Sequence, residues 1–199
     1  MNAGVAALRK FARRAPEAAE RCELCGAAIP AGHEHLVDPS KRELKCACGA
    51  CAVLFPGLEG ARFLRVRPRA ELLADLRFSD EQWDALHIPV GLAFFFRSSA
   101  AGRVVAFYPS PAGATESLVG LEAWAAIERE NPALLQLEPD VEALLVHRVG
   151  NAREHYRVSI DRCYRLVGLV RLHWRGFSGG AEAQEEIGRF FAGLRGARA

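Results

Sequence analysis

The chain has 199 residues, half of them apolar and a quarter charged. That is the mixture of a globular protein long enough to bury a core, and it excludes a chain disordered throughout. The formal net charge of +2 is too small to mark a nucleic-acid binder, and Lys10, Lys41 and Lys45 are the only lysines, so the arginine excess reads as genomic GC bias and not as phosphate recognition.

The first fourteen residues carry Arg9, Lys10, Arg13 and Arg14 with no acid among them. An Arg-rich, acid-poor start also occurs in transit peptides, but this one has no secretory apolar core, and residues 1–20 read as a basic helix or tail. No apolar run reaches the roughly 18–20 residues a spanning helix needs; the longest, Ile88 to Phe96, is strand-sized. Five of the six cysteines lie between Cys22 and Cys51, a metal pattern more than a disulfide framework, so the expected compartment is cytoplasmic.

Residues 21–60 form a distinct segment, too short for a hydrophobic core of its own. Cys22 and Cys25 make a C-x-x-C followed by Gly26, where an unhindered residue lets the turn fold thiolates and amides over one ion. His33 to Asp38 and Glu43 to Cys48 flank the turn PSKR and read as a β-hairpin. GACAVLF then opens a short helix with Cys51 in its first turn, where the helix N-terminus would favour a thiolate. Knuckle, hairpin and helix in that order are the layout of a treble-clef or zinc-ribbon-like module. They predict Cys22, Cys25, Cys48 and Cys51 as a tetrahedral thiolate set for zinc, with iron or an iron–sulfur cluster as the alternative.

Three more donors lie close by. If the hairpin turns near Ser40, residues whose numbers sum to about 81 face each other, which sets His35 opposite Cys46 and His33 opposite Cys48 on one face. Three readings of His33, His35 and Cys46 stay open: a histidine hydrogen-bonding a ligand sulfur, replacement of one of the four cysteines, or a second metal or cluster built from all seven donors.

From residue 61 to 199 the periodicity is that of an α+β domain. FLRVR from Phe63 alternates as a short strand, and Ser79 with Gln82 is a capping-box pair opening the helix DEQWDAL. Pro89 to Arg97 and Arg103 to Tyr108, linked by SSAAG, form a hairpin apolar on both faces and therefore central in its sheet. PSPAGATE reads as a turn cluster, and Leu121 to Glu130 as a helix burying Trp124 and Ile127. Val141 to Val149 and His155 to Ile160 form another strand pair, and Asp161 is placed to cap the next helix, whose stripe is Cys163, Leu166, Val167 and Val170. A last amphipathic helix, Ala181 to Leu194, buries Ile187, Phe190, Phe191 and Leu194. The expected fold class is α+β: the small metal module, then an antiparallel or mixed sheet packed with helices on one face.

No catalytic set emerges. Gly176-Phe177-Ser178-Gly179-Gly180 matches a nucleophile-elbow string, but it lies between two helical patterns where the elbow needs a strand before it. His87, His147, His155 and His173 are scattered, although His147 and His155 would approach each other across their strand pair. Arg65, Arg67 and Arg69 beside Phe63 read as a solvated edge, with nucleic-acid contact as the competing reading.

RCELCG, the H-x-H before C-A-C-x-x-C, IPVGLAFFFRSSAAGRVVAFYPSPAGATES and CYRLVGLVRLHWRGFSGGAE occur in that order. Together they resemble an uncharacterised bacterial family, a domain of unknown function often encoded among genes for nickel–iron (NiFe) hydrogenases. The resemblance spans about residues 6–195 and implies genomic company, with no functional residues to carry over. The expectation is a non-enzymatic zinc-binding accessory or adaptor protein with a protein partner, in hydrogenase assembly or maturation. An iron or iron–sulfur redox protein and a nucleic-acid-binding zinc protein are the alternatives.

Overall fold

The computed structural model describes residues 20–56, 58, 60–118, 120–176 and 179–196. The basic stretch with Arg9, Lys10, Arg13 and Arg14, and Ser178, lie outside the described residues. Among the described residues no helix is long and apolar enough to cross a membrane.

The elements run β1 (Glu34–Asp38), β2 (Glu43–Ala47), α1 (Gly49–Leu54), β3 (Leu64–Val66), β4 (Ala70–Leu72), α2 (Asp80–Ala85), β5 (Leu92–Ser98), β6 (Arg103–Ser110) and β7 (Gly113–Ser117). They continue with α3 (Leu121–Glu130), a 3-10 turn (Pro132–Gln136), β8 (Glu142–His147), β9 (Glu154–Ser159), α4 (Ile160–His173) and α5 (Gly180–Gly196). Two antiparallel sheets result, a three-stranded one in the order β2-β1-β3 and a six-stranded one in the order β4-β9-β8-β5-β6-β7.

The capping box is present in full: Ser79 Oγ accepts from the Gln82 amide at 3.1 Å and the Gln82 side chain accepts from the Ser79 amide at 2.9 Å. The hairpin β5–β6 sits inside the large sheet, as its two apolar faces require. On one face Phe94, Phe96, Val105, Phe107, Leu145 and Tyr156 pack with the α4 and α5 stripes, from Cys163 to Val170 and from Ile187 to Leu194. On the other, Phe95, Leu144 and Val146 pack with Trp83, Leu86, Trp124 and Ile127, Phe95 stacking on Trp124 at 4.8 Å. Helices therefore cover both faces, not one. Strands buried on both sides need two covering layers, and each layer here supplies its own apolar cluster.

Three local readings are corrected, and the short strand read in FLRVR is given its partner. PSPAGATE is only partly a turn, because Gly113–Ser117 goes on as the edge strand β7 along β6. FLRVR contributes β3 to the sheet of the cysteine segment, with Val37 opposite Leu64 and His35 opposite Val66. That sheet thus reaches past residue 60, and its Val37 and Val66 join the large core. The α4 N-cap is Ser159, not Asp161, which lies in the first turn and reaches elsewhere. His147 and His155 do not meet: they point to opposite faces, His147 stacked on Phe191 at 3.9 Å and His155 on Phe78 at 5.6 Å. A register of His147 opposite Glu154 and Val146 opposite His155 forces this, since neighbours along a strand alternate in face.

Candidate metal centre

The knuckle closes when the Gly26 amide donates to Cys22 O and the Cys22 amide donates to Ala27 O, both at 2.8 Å. Gly26 has φ 76° with open space around a would-be Cβ, so it is the left-handed backbone and not crowding that selects glycine. Glu23 then docks the knuckle on β2: its amide donates to Cys46 O at 2.9 Å, and its Oε2 accepts from the Cys46 amide at 2.6 Å.

The hairpin pairs Glu34 with Ala47 and His35 with Cys46, the register expected from a turn near Ser40. Asp38, fully buried, holds the turn by accepting from Ser40 Oγ and from Arg62 Nε, both at 2.6 Å. The Ser40 bond, then the Arg62 contacts, hold its carboxyl down at about 2 against the upward push of burial. After β2 the chain turns into α1, with Cys48 as N-cap and its carbonyl accepting from the Ala52 amide at 2.9 Å.

These three pieces bring the sulfurs of Cys22, Cys25, Cys48 and Cys51 within 4.8 Å of one another. All six cysteines are free thiols, and Cys25 Sγ and Cys48 Sγ are 3.7 Å apart. A tetrahedron with metal–sulfur bonds of about 2.3 Å has edges of about 3.8 Å, so this edge has the right length. Cys22 and Cys51 are buried among Ile29, Leu36, Ala47 and Ala52, with Cys25 on the exposed side. Four cysteines so close together can bind a metal ion.

Electrostatics point the same way. Burial alone would raise the Cys22 thiol, but backbone N–H groups of Cys48, Cys25 and Leu24 outweigh it and bring the group down to about 6. Cys51 goes up to about 12, through burial and then the neighbouring sulfurs. The backbone donors that reach Cys22 belong to the knuckle and to Cys48. A cation held among the four sulfurs would favour their thiolate forms.

His33, His35 and Cys46 are gathered into a separate group, one ligand atom from each within 4.8 Å of the others. The His33 and His35 rings meet edge to face at 4.7 Å. Burial, then the Glu23 and Glu20 carboxylates, push the Cys46 thiol up. Two contacts of this group were invisible in the sequence: His33 Nδ1 lies 3.1 Å from Glu20 Oε2, and His35 Nδ1 lies 3.3 Å from Asp161 Oδ2 in the first turn of α4. Only the sheet packing brings Asp161 there; an acid at a helix start signalled a cap.

The other candidates stay apart. Cys163 is fully buried in the large core, which pushes its thiol well up. Among the described residues the element before the string that holds Ser178 is the helix α4, not a strand. Arg65 is held by Glu34 through two bonds at 3.1 and 3.0 Å, and Arg69 by Glu71 and Glu142, both at 3.2 Å.

Residues 21–198 match the model of a family of unknown function, DUF5947, and the chain belongs to that family. No curated protein and no solved structure matches the chain.

Proposed function

We propose that this member of the family holds a structural zinc ion with Cys22, Cys25, Cys48 and Cys51 in a treble-clef-like module, and acts as a non-enzymatic accessory protein that docks on a protein partner. The observation that carries the metal reading is the four-sulfur set itself, with its 3.7 Å Cys25–Cys48 edge. Four thiolates fill a tetrahedral shell and leave no position for a substrate, which is the signature of a structural site. The core around the cysteines is small, so the ion would supply folding energy that apolar burial does not.

Two observations support the docking role. Helix α1 buries Cys51 and Ala52 and leaves Val53 and Leu54 exposed, with Leu58 exposed beyond its end. The carboxylates on Arg65 and Arg69 blunt the basic strand that a nucleic acid would need. The setting in hydrogenase assembly rests on the family resemblance alone.

The test is elemental analysis of protein purified with and without air, beside its visible spectrum. One colourless zinc per chain, lost with Cys22→Ser, is the expected result. Thiolate-bound iron with visible absorption would replace the structural reading with a redox one. For the role, a strain lacking the gene is complemented with Val53→Asp/Leu54→Asp. Loss of hydrogenase activity at normal protein level is expected, and full activity would overturn docking through α1.

A further inference from the structure

His33, His35 and Cys46 line a cleft of about 640 Å³ between the hairpin and α4, with Asp161, Arg162 and Arg165 on its far wall. We propose that these three side chains form a second metal site, open and exchangeable, for a borderline divalent transition-metal ion such as zinc, nickel or cobalt.

The tautomers carry the argument. His33 Nδ1 lies 2.9 Å from Pro30 O and 3.1 Å from Glu20 Oε2, both acceptors, so Nδ1 bears a proton and the neutral ring carries its lone pair on Nε2. That Nε2 is buried without a partner, in a side chain only 7% exposed. A buried acceptor left this way needs something to bind. His35 is the more open of the two, 29% exposed, with Nδ1 facing Asp161 Oδ2 at 3.3 Å. A carboxylate or carbonyl on one imidazole nitrogen, with the other nitrogen free, is how proteins orient metal-binding histidines. Cys46 sits opposite His35 in the β1–β2 register, and its backbone is clamped on both sides by Glu23, so the third donor is preorganised.

Two imidazoles and one thiolate suit borderline ions, and magnesium and calcium poorly. Three protein ligands leave the fourth position to water or a small anion from the cleft. That is the arrangement of a site that exchanges or activates its ligand, unlike a closed four-sulfur shell. With the Nδ1 atoms engaged elsewhere and four sulfurs already sufficient, hydrogen bonding to a ligand sulfur and ligand replacement lose their basis. The site depends on the hairpin being folded, and not on which ion the four cysteines hold.

Cobalt(II) titration of the metal-stripped full chain without air, followed by its absorption, tests this. The wild type should take up two equivalents: one with four-thiolate charge transfer, and a weaker one that a mild chelator withdraws first. His33→Ala, His35→Ala and Cys46→Ser should each abolish the weaker phase and keep the four-thiolate spectrum. Asp161→Asn should weaken it about 10- to 100-fold. Cys22→Ser should damage the four-thiolate phase, so failure there counts against the structural-zinc reading and not this one. Uptake of a single equivalent by the wild type, which needs no variant to fold, overturns the second site. So does a second equivalent that survives all three ligand substitutions.

Discussion

Glu23 and Cys46 exchange two hydrogen bonds, the Glu23 amide to Cys46 O at 2.9 Å and the Cys46 amide to Glu23 Oε2 at 2.6 Å. One residue pair thus fixes the knuckle that carries Cys22 and Cys25 against the strand that leads to Cys48. Glu23→Ala removes the side-chain half of this clamp and frees the Cys46 amide. Because Glu23 is exposed, the stability cost should be only about 1 kcal/mol. Metal release to a chelator should nonetheless speed up, since the two halves of the four-sulfur set are then tied once and not twice. An unchanged release rate in stopped-flow chelation would show that the four cysteines alone hold the halves together.

Metal removal should act on one sheet first. The three strands β2-β1-β3 are anchored by the cysteine cluster where β2 leads to Cys48, and by Val37 and Val66, which join the large core. Chelation should therefore deprotect amides of the hairpin and α1 in hydrogen exchange, while β5 and β8, buried on both faces, keep theirs. Simultaneous loss of protection in both sheets would mean that the chain unfolds as one cooperative unit.

Much of this architecture was legible in the residues. The C-x-x-C pairs, the hairpin register about Ser40, the capping box at Ser79 and the span Leu121–Glu130 all depend on neighbours close in the chain. The edge strands β4 and β7 were not legible, because AEL and GATES have neither length nor an apolar face and become strands only through β9 and β6. The partner of β3 was missed for a related reason: its alternation suits either sheet, and only its pairing along β1 shows which one it joins. Asp161 looked like a cap until α4 was laid beside the hairpin, where its carboxylate faces His35.

Gly91 is required by close approach and not by its backbone angle. A Cβ there would lie 2.7 Å from Arg148 O, in the stretch where the Arg148 amide donates to Gly91 O at 2.6 Å. The obstacle is backbone, which cannot swing aside, so β5 and β8 would have to separate locally. Gly91→Ala should destabilise the protein by about 1–3 kcal/mol, read as a lowered denaturant midpoint. A neutral result would mean that this end of the strand pair is free to splay.

His155 should make the protein acid-sensitive. It is buried on the α2 side of the sheet, stacked on Phe78, with Nε2 unpartnered. Burial, and then the Arg148 guanidinium, push it down to about 4 from an ordinary value of 6.5. Below pH 6.5 the unfolded chain takes a proton that the native state refuses. Stability should therefore fall as the pH drops from about 6.5 to about 4 and level off below that. Full expression of the shift would be worth on the order of 3 kcal/mol. His155→Phe keeps the stack on Phe78 and removes the titration. Its midpoint relative to wild type should improve progressively across that window and stay constant above pH 7. The comparison is made at matched pH and equal metal content, so that acid release of the ion cancels. Parallel pH profiles for the two proteins would show that His155 titrates alike in the folded and unfolded states.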